Sequence, residues 1–444
     1  MSTTENPLQS EEKRALLVGI CTGNEHDFSV SMEELDALAR SCGIEPARSV
    51  TQHLPWTDRA TCAGPGKVEE IRMLADAEET DLVIFNNNLT PAQIANLTKL
   101  LDVEVLDRTA LILQIFSEHA SSREARIQVE YARLQYILPR LIGMRRNLSR
   151  QGGGSGALSN KGSGEMQIEL DRRHIERRMS VLRKELKKIS QSRETQRKMR
   201  RQSRLPLVSM VGYTNAGKST LMNALIDHCA KETYGSAFME ANEPEKDRHV
   251  FVKDMVFATL DTAIRRIEPE GAQPFLLSDT VGFISDLPTS LVEAFHSTLE
   301  EALHADLILE VVDASDPEHI AQMEVTGRTL QELGAGSIPR IQVMNKADLT
   351  QEDLSGTIQA QSGKIFLSAA HGAGIDELIR LIEEKLNGET IQVTVLIPYE
   401  DMSPVQVLHT SAVVLEQEYT PDGVKLTARM DMDLLRRYRK YVIA

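Results

Sequence analysis

A glycine-rich segment with one lysine lies between an apolar strand and a helix. Residues 212–220 read Gly-Tyr-Thr-Asn-Ala-Gly-Lys-Ser-Thr and directly follow the apolar run 205–211. A buried strand, then Gly-x-x-x-x-Gly-Lys-Ser, then a helix is the context of a phosphate-binding loop. Gly212 and Gly217 permit the tight turn whose N–H groups surround a phosphate at the positive end of a helix.

Two side chains of this loop are suited to nucleotide chemistry. Lys218 is expected to reach the β- and γ-phosphates, and the Ser219 hydroxyl to coordinate Mg²⁺. The sequence therefore predicts a nucleoside triphosphate site with Mg²⁺ as cofactor. The predicted contacts in the loop are Gly212, Tyr213, Thr214, Asn215, Ala216, Gly217, Lys218, Ser219 and Thr220.

A second motif indicates which base is bound. The apolar run 338–344 leads into Asn345, Lys346, Ala347 and Asp348. Alone this is an ordinary turn sequence, but after a strand and downstream of a P-loop it matches the guanine-reading motif of GTPases. The Asp348 carboxylate can accept hydrogen bonds from the guanine ring N–H and exocyclic amine, a pattern that adenine does not offer. Lys346 is expected to pack on the base and Asn345 to tie this loop to the P-loop, so we predict GTP.

Segments between these motifs are placed to reach Mg²⁺ and the γ-phosphate. Asp279 ends an apolar strand and is expected to orient the Mg²⁺ water shell, while the Gly282 N–H meets the γ-phosphate. Thr259 is expected to close on Mg²⁺ in preference to Thr262; the alternative is that Thr259 is only a strand residue. The predicted contacts here are Phe257, Ala258, Thr259, Leu260, Asp261, Asp279, Thr280, Val281 and Gly282.

The predicted catalytic residues are Lys218, Thr259 and Gly282. Ras-type GTPases carry a glutamine directly after Asp-x-x-Gly, where it orients the attacking water. Phe283 occupies that position here and cannot hydrogen-bond water in this way. We therefore expect slow intrinsic hydrolysis, with the missing group supplied by a partner or by another side chain of this chain.

A short segment after the apolar run 365–367 is the weakest of the motifs. Ser368, Ala369 and Ala370 form a loop whose backbone is expected to contact the guanine carbonyl oxygen. The lysine that usually follows Ser-Ala in this motif is absent.

Composition and charge narrow the class of protein. A chain of 444 residues with 41% hydrophobic and 26% charged residues is ordinary for two to four soluble domains. It has neither a long apolar run nor a secretory N-terminus, so we expect a cytoplasmic protein without membrane insertion. Its four cysteines lack metal-type spacing and are expected to stay reduced.

Positive charge is concentrated in one region of an acidic chain. The net charge is −15, yet residues 171–204 contain 14 Lys or Arg against 4 Asp or Glu, and residues 123–150 contain seven Arg against two Glu. This distribution predicts a polyanion contact through that region; the alternative is a solvated helix face. The candidate RNA-binding residues are Arg145, Arg146, Arg150, Lys161, Arg172, Arg173, Arg177 and Arg178.

The pattern of elements predicts the domain order. After a polar tail (1–14), residues 15–117 alternate strands and helices, which include a capped helix from Ser31, and predict a small parallel α/β domain. Residues 118–204 show two apolar seams at 4-3-4-3 spacing and predict an antiparallel helical hairpin. Residues 205–388 form the predicted GTPase domain and 389–444 a small α+β domain with a β-hairpin.

The seams of the hairpin and its tip are defined by particular residues. A glycine-rich loop at about 151–164 lies between the two helices; it is interpreted as an RNA probe, with a disordered linker as the alternative. The seam residues are Ile127, Tyr131, Leu134, Leu138 and Leu141 in the first helix and Ile175, Met179, Leu182, Leu186 and Ile189 in the second.

Seven segments of the chain carry a family resemblance, at 66–71, 137–141, 151–154, 171–173, 212–220, 257–261 and 279–284. Through them nearly the whole chain resembles the HflX family of ribosome-associated GTPases. The resemblance implies a large-subunit-binding GTPase whose hairpin loop approaches the peptidyl-transferase region and which splits ribosomes under stress. The sequence departs from the family pattern at 61–63 and 159–166.

Three functions agree with these observations. The first is a monomeric GTP hydrolase that binds ribosomal RNA of the large subunit, rather than DNA, and splits or rescues ribosomes. The alternative is a GTP-gated switch that binds RNA or a subunit during ribosome assembly without splitting. The third is a GTPase that partners an RNA-modification enzyme.

Overall fold

The computed structural model describes residues 13–150, 161–203, 205–234, 263–270, 272–280, 282–284, 302–350, 358–359, 363–387, 391–430 and 432–443. They fall into two compact units, one up to Ile189 and one that begins at Ser190. Both contain helices and sheets, so the predicted α/β class is confirmed. No helix within the described ranges combines the length and hydrophobicity that a bilayer span requires.

The sheet of the first unit is parallel, with strand order β2-β1-β3-β4. Its central strands are buried almost throughout, as apolar strands of a parallel sheet covered by helices are. The sequence did not predict β2 and β4, because these edge strands bury fewer of their residues. The strands are β1 Lys13–Cys21, β2 Ile44–His53, β3 Leu82–Phe85 and β4 Glu104–Asp107.

Four helices connect and cover these strands. They are α1 Glu25–Ser41, α2 Pro65–Ala77, α3 Pro91–Leu101 and α4 Arg108–His119. The predicted helix start at Ser31 is wrong, because the Asn24 side chain accepts from the His26 N–H and caps the helix earlier. Helix α3 begins with a reciprocal capping box that Thr90 and Gln93 form.

Two long helices, α5 Arg123–Arg150 and α6 Lys161–Ser203, form the predicted hairpin. Two ion pairs show that the helices run antiparallel: Arg123 pairs with Glu185, and the later residue Glu130 pairs with the earlier residue Arg178. Within the predicted seams Ile127 and Leu182 are fully buried. Helix α6 already begins at Lys161, so residues 161–164 of the predicted loop are helical, and residues 151–160 lie outside the described part of the chain.

Helix α5 has a second buried face that the sequence did not predict. Ala125, Val129 and Ala132 are also buried, where α5 packs against α3 and α4 of the same unit. Asp107 at the end of β4 accepts hydrogen bonds from the Tyr136 hydroxyl at 2.6 Å and the Arg140 guanidinium at 2.9 Å. The hairpin therefore begins on a helix that is fixed to the parallel sheet.

The main sheet of the second unit has seven strands in the order β10-β11-β9-β8-β5-β7-β6. Its five inner strands pair in parallel, and β6 and β10 pair antiparallel at the edges. The strands are β5 Leu207–Gly212, β6 Ala263–Ile267, β7 Phe275–Asp279, β8 Leu307–Asp313, β9 Arg340–Asn345, β10 Ile358–Gln359 and β11 Lys364–Phe366.

Helices lie on both faces of this sheet. Helices α7 Lys218–Tyr234 and α9 Ile375–Asn387 pack on one face through Leu221, Leu225 and Leu378. On the other face α8 His319–Leu333 contributes Leu330 to a smaller apolar cluster. Parallel strands with helices on both faces leave the carboxyl ends of the strands open as a site.

The second unit also contains a three-stranded antiparallel sheet with the order β12-β14-β13. Its strands and helices are β12 Ile391–Ile397, α10 Ser403–Ser411, β13 Val413–Thr420, β14 Gly423–Met430 and α11 Met432–Tyr438. The predicted β-hairpin corresponds to β13 and β14. The apolar face of this sheet packs against Leu408 and Leu434 of the two helices.

Candidate functional site

The predicted nucleotide motifs converge at one edge of the seven-stranded sheet. Gly212, Asp279, Asp313 and Asn345 are the last residues of β5, β7, β8 and β9. Asp313 and Asn345 are neighbours in the strand register. Because these strands are parallel, their carboxyl ends form a single crevice, as in other α/β sheets that bind ligands.

The P-loop backbone has the conformation for which its glycines were predicted. Gly212 has φ +152°, and a Cβ there would collide with the Val311 carbonyl oxygen. Gly217 has φ +87°, and a Cβ there would collide with the Asn345 amide. A side chain at either position is therefore strained by backbone and by contact.

Lys218 lies folded within this loop. Its ammonium donates to the carbonyl oxygens of Gly212 at 3.1 Å and Tyr213 at 2.8 Å. The residue is only 7% exposed. Burial lowers the pKa of Lys218 from 10.5 to about 8, against the opposing effect of the Asp279 carboxylate. An anion close to the ammonium would favour its charged form.

Ser219, a predicted Mg²⁺ ligand, and Asp279, which is predicted to orient the water shell of the ion, lie together. The Ser219 hydroxyl donates to an Asp279 carboxylate oxygen at 2.7 Å. The next residue, Thr280, is buried and its hydroxyl donates to the Met210 carbonyl at 2.6 Å, which fixes the end of β7. Hydroxyl and carboxylate oxygens are donors that Mg²⁺ prefers, so this pair fits the predicted ion.

Part of the prediction falls outside the described residues. This applies to the whole switch segment, Phe257, Ala258, Thr259, Leu260 and Asp261, and to Val281. Their assignment stays a prediction. Tyr213, Thr214, Asn215, Ala216 and Thr220 are described and lie in the loop or the first turn of α7.

Gly282 lies against the P-loop. A Cβ on Gly282 would be 2.8 Å from Thr214 Cγ2 and 3.1 Å from Lys218 Nζ. The following residue, Phe283, donates its N–H to the Gly212 carbonyl at 3.0 Å and accepts from the Thr214 N–H at 2.9 Å. These contacts hold the Asp-x-x-Gly segment against the loop.

The ring of Phe283 belongs to the apolar core. It is 2% exposed and packs in the cluster that contains Val211, Ile308 and Leu330. The side chain at the position usual for a water-orienting glutamine is therefore a core residue.

Asn345 connects three motifs, as predicted for the base loop. Its amide nitrogen donates to the Ala216 carbonyl at 2.9 Å, and its amide oxygen accepts from the Ala369 N–H at 3.0 Å. The Ala347 N–H donates to the Leu367 carbonyl at 3.1 Å. The segment of Ser368, Ala369 and Ala370 is thereby fixed beside the P-loop.

Asp313 is a site residue that the sequence analysis missed. Its carboxylate pairs with the Lys346 ammonium at 2.7 Å, while Lys346 itself adopts a left-handed backbone with φ +57°. The available signal was its place at the end of the apolar strand β8, comparable to that of Asp279. The pair fixes the head of the lysine whose stem was predicted to pack on the base.

His371 is the second residue that was missed. Its Nδ1 lies 3.5 Å from an Asp348 carboxylate oxygen and 3.0 Å from the Ser368 hydroxyl. It follows the Ser-Ala-Ala segment, in which the usual lysine is absent. The carboxylate that is predicted to read guanine therefore has a neighbouring imidazole.

The candidate RNA-binding arginines differ in their environment. Arg172 and Arg173 pair with glutamates of α6, and Arg178 makes two hydrogen bonds of 2.6 and 2.7 Å to Glu130. Arg177 is exposed and has no ion pair with the described residues. The side chains of Arg145, Arg146, Arg150 and Lys161 lie outside the description.

Comparison with protein families covers most of the chain in four segments. Residues 29–117 match the family "GTP-binding GTPase N-terminal" and residues 119–200 "GTP-binding GTPase Middle Region". Residues 207–346 match "50S ribosome-binding GTPase", and residues 353–438 match "HflX C-terminal domain".

Individual relatives match this chain over nearly the full length of both proteins. A GTPase HflX of Caldanaerobacter subterraneus is 39% identical over 437 residues, 98% of this chain and 95% of the relative. A GTPase HflX of Lacrimispora saccharolytica is 38% identical over 96% of both chains. A solved GTP-binding protein of Sulfolobus solfataricus, in complex with GDP, is 23% identical and covers 84% of this chain and 98% of its own, with TM-score 0.43.

Proposed function

The chain belongs to the HflX family of GTPases, and on that basis we propose that it acts on the large ribosomal subunit. It hydrolyses GTP there and splits or rescues stalled or stress-inactivated ribosomes. The observation that carries this proposal is the match of residues 207–346 to a 50S ribosome-binding GTPase family. In that same segment Asn345 joins the base loop to the P-loop.

The nucleotide site is proposed to consist of the motifs described above. The P-loop N–H groups and the Lys218 ammonium hold the β- and γ-phosphates. Asp348 reads the guanine, and the Lys346 stem, fixed at its head by Asp313, packs on the base. The Ala369 N–H is occupied by Asn345, so the Ala370 N–H is the proposed donor to the guanine carbonyl oxygen.

Mg²⁺ fits the oxygen ligands of this site. Ser219 and Thr259 would hold the ion and Asp279 its water shell, and the ion would neutralise charge on the β- and γ-oxygens. The Ser219 and Asp279 oxygens are already within 2.7 Å of one another. Gly282, which lies close to Lys218, is proposed to donate its N–H to the γ-phosphate.

Slow intrinsic turnover is part of the proposal. Phe283 is buried in the core and its ring cannot hydrogen-bond the attacking water. We propose that binding to the large subunit arranges the group that orients the attacking water. The isolated chain would then hydrolyse GTP well below the usual range of enzyme turnover.

A stripe of unpaired cations on α6 supports an RNA partner. Arg177, Lys184 and Lys188 are exposed and form no ion pairs with the described residues. At 3.6 residues per turn the three side chains lie within an arc of about 40° around the helix axis and span about 16 Å along it. This arc lies opposite the seam that contains Leu182. In a chain of net charge −15, such a stripe is suited to phosphates.

The remaining predictions about organisation are retained as proposals. The domain boundaries are 15–117, 118–204, 205–388 and 389–444, after an N-terminal tail. The protein is proposed to act as a monomer in the cytoplasm, in association with ribosomes.

Light scattering tests the function directly. Purified ribosomes are mixed with the chain and either GTP or a non-hydrolysable analogue, and subunit separation is followed as a fall in scattering. Splitting with both nucleotides is expected. Binding to free large subunits without any splitting would contradict the proposal and favour the assembly switch.

A further inference from the structure

The only tryptophan of the sequence is displayed to solvent on the loop between β2 and α2. Trp56 is 75% exposed, more than any other large hydrophobic side chain among the described residues. Exposed tryptophans are enriched at contacts with partners, because the large ring contributes much contact area. A function for Trp56 therefore has to be sought outside the core.

The loop that carries Trp56 is fixed by hydrogen bonds at both ends. The Leu54 N–H donates to the Cys21 carbonyl at 2.9 Å, and the Gly64 N–H donates to the Gln52 side chain at 2.9 Å. Between them Asp58 and Cys62 exchange two backbone hydrogen bonds of 2.9 and 3.0 Å.

Two side chains of helix α3 donate hydrogen bonds to the same turn. The Gln93 side chain donates to the Asp58 carbonyl at 2.7 Å, and the Asn96 side chain donates to the Ala60 carbonyl at 2.9 Å. Cys62 is buried and holds a left-handed backbone with φ +64°, which a non-glycine residue adopts only when its surroundings enforce it. A ligand of this loop would not have to pay the entropy of ordering it.

Arg59 supplies a cation on the loop of Trp56, next to the hydrogen-bonded carboxylate of Asp58. Arg59, at the tip of the turn, is exposed and has no ion pair with the described residues. The Asp58 carboxylate accepts from the N–H groups of Ala60 and Thr61 within the same turn, and these bonds lower its pKa. On α2, Glu69 and Glu70 pair with cations of their own helix.

We propose that Trp56 stacks on an unpaired base of ribosomal RNA while Arg59 contacts the adjoining phosphate. Stacking on an aromatic ring next to a cation is how proteins hold single-stranded RNA. A protein partner would call for a wider apolar patch, whereas the exposed neighbours of Trp56 on the loop are Pro55, Arg59 and Ala60. This inference rests on the proposed function, since it assumes ribosomal RNA as the partner.

Tryptophan fluorescence of the full chain reports this site alone. Titration with a short single-stranded oligoadenylate is expected to quench the emission in a saturable, salt-sensitive way. The Arg59→Ala variant should weaken that binding at least about threefold. Met73→Ala, which removes another exposed apolar side chain of the same unit, should leave the titration unchanged.

Co-sedimentation with large subunits provides the second readout. Trp56→Ala should lower the affinity at least about fivefold, and Trp56→Phe, which keeps an aromatic face, by less. An unchanged affinity of Trp56→Ala would overturn the inference while leaving the proposed function intact. A loss of affinity without any quenching by oligoadenylate would indicate a protein contact and would also overturn base stacking. If the wild-type chain does not co-sediment, the proposed function fails, whereas quenching still supports stacking on RNA.

Discussion

Asn345 donates a hydrogen bond to the carbonyl oxygen of Ala216 at 2.9 Å, across 129 positions of sequence. The same side chain accepts from the Ala369 N–H. A single amide thus fixes the P-loop and the segment 368–370, which is predicted to contact the base, relative to each other, and both of its partners are buried.

Replacement of this amide should impair nucleotide binding. In Asn345→Ala the Ala216 carbonyl and the Ala369 N–H lose their partner inside the protein, which costs about 1–3 kcal/mol for each group. We expect GTP and GDP to bind at least about tenfold more weakly. Calorimetric titration measures the affinity, with circular dichroism to verify that the variant is folded. Affinity equal to that of the wild-type chain would show that the loops are held by other contacts.

Base choice should depend on Asp348. The Asp348→Asn amide can no longer accept from both the ring N–H and the exocyclic amine of guanine, so GTP should bind more weakly. Xanthine presents a carbonyl oxygen in place of that amine, to which the new amide can donate. Competition between GTP and xanthosine triphosphate measures the preference. If the ratio of the two affinities is the same in variant and wild type, guanine is read by another residue.

GTP affinity should fall as the pH rises through about 8. Lys218 has a pKa of about 8 in the structure because it is buried, and only its charged form attracts phosphate. Above that pH the free protein must take up a proton to bind, so affinity should decline by up to about tenfold per pH unit.

Two variants separate this effect from general alkaline damage. Lys218→Arg stays charged throughout and should bind GTP with little pH dependence, whatever its absolute affinity. Lys218→Ala should lose tight binding at every pH. A wild-type affinity that is constant between about pH 7 and about pH 9 would contradict the assigned pKa.

Asp107 should be important for the stability of the first unit. It is 1% exposed and accepts from the Ala110 N–H, Tyr136 and Arg140. Burial and the adjacent Asp107 raise the pKa of Tyr136, so its hydroxyl stays a donor. Asp107→Asn leaves the guanidinium without its counter-charge and should destabilise the unit by about 2–4 kcal/mol.

Denaturant unfolding followed by far-ultraviolet circular dichroism measures this loss. Asp102→Asn is the matched control. Asp102 is exposed and has φ +56°, which asparagine tolerates well. Equal unfolding midpoints for both variants would contradict a structural role of Asp107.

Stimulation by the large subunit should depend on the cation stripe of α6. Reversal of Arg177, Lys184 and Lys188 to glutamate should abolish most of the increase in GTP turnover that large subunits cause, because these residues are free to contact phosphates. The matched control reverses three exposed cations outside the hairpin that form no ion pair within the described part of the chain, Lys99, Arg328 and Lys385. Stimulation should also decline as salt is raised. Equal losses in both triple variants would attribute the effect to net charge alone.

The local sequence was sufficient to identify the nucleotide chemistry. A P-loop and a guanine motif are defined by residue types at fixed short spacing, because backbone turns and strand ends impose that spacing directly. The same holds for the β13–β14 turn. Strands β5, β7 and β9 were recognised because they are apolar runs that lead into motifs. Strand β8 was missed although it is buried almost throughout, and β2 and β4 were not predicted because edge strands are only partly buried.

Tertiary structure alone decided which distant groups meet. The pairs Lys346–Asp313 and Asp348–His371 join residues from different loops at the sheet edge, and no periodicity in the sequence relates them. Tertiary structure also decided which arginines of the basic hairpin form ion pairs. Arg178 reaches Glu130 of the neighbouring helix, while Arg177 faces solvent. A cation's availability depends on whether a carboxylate lies within ion-pair distance, and chain topology sets that distance.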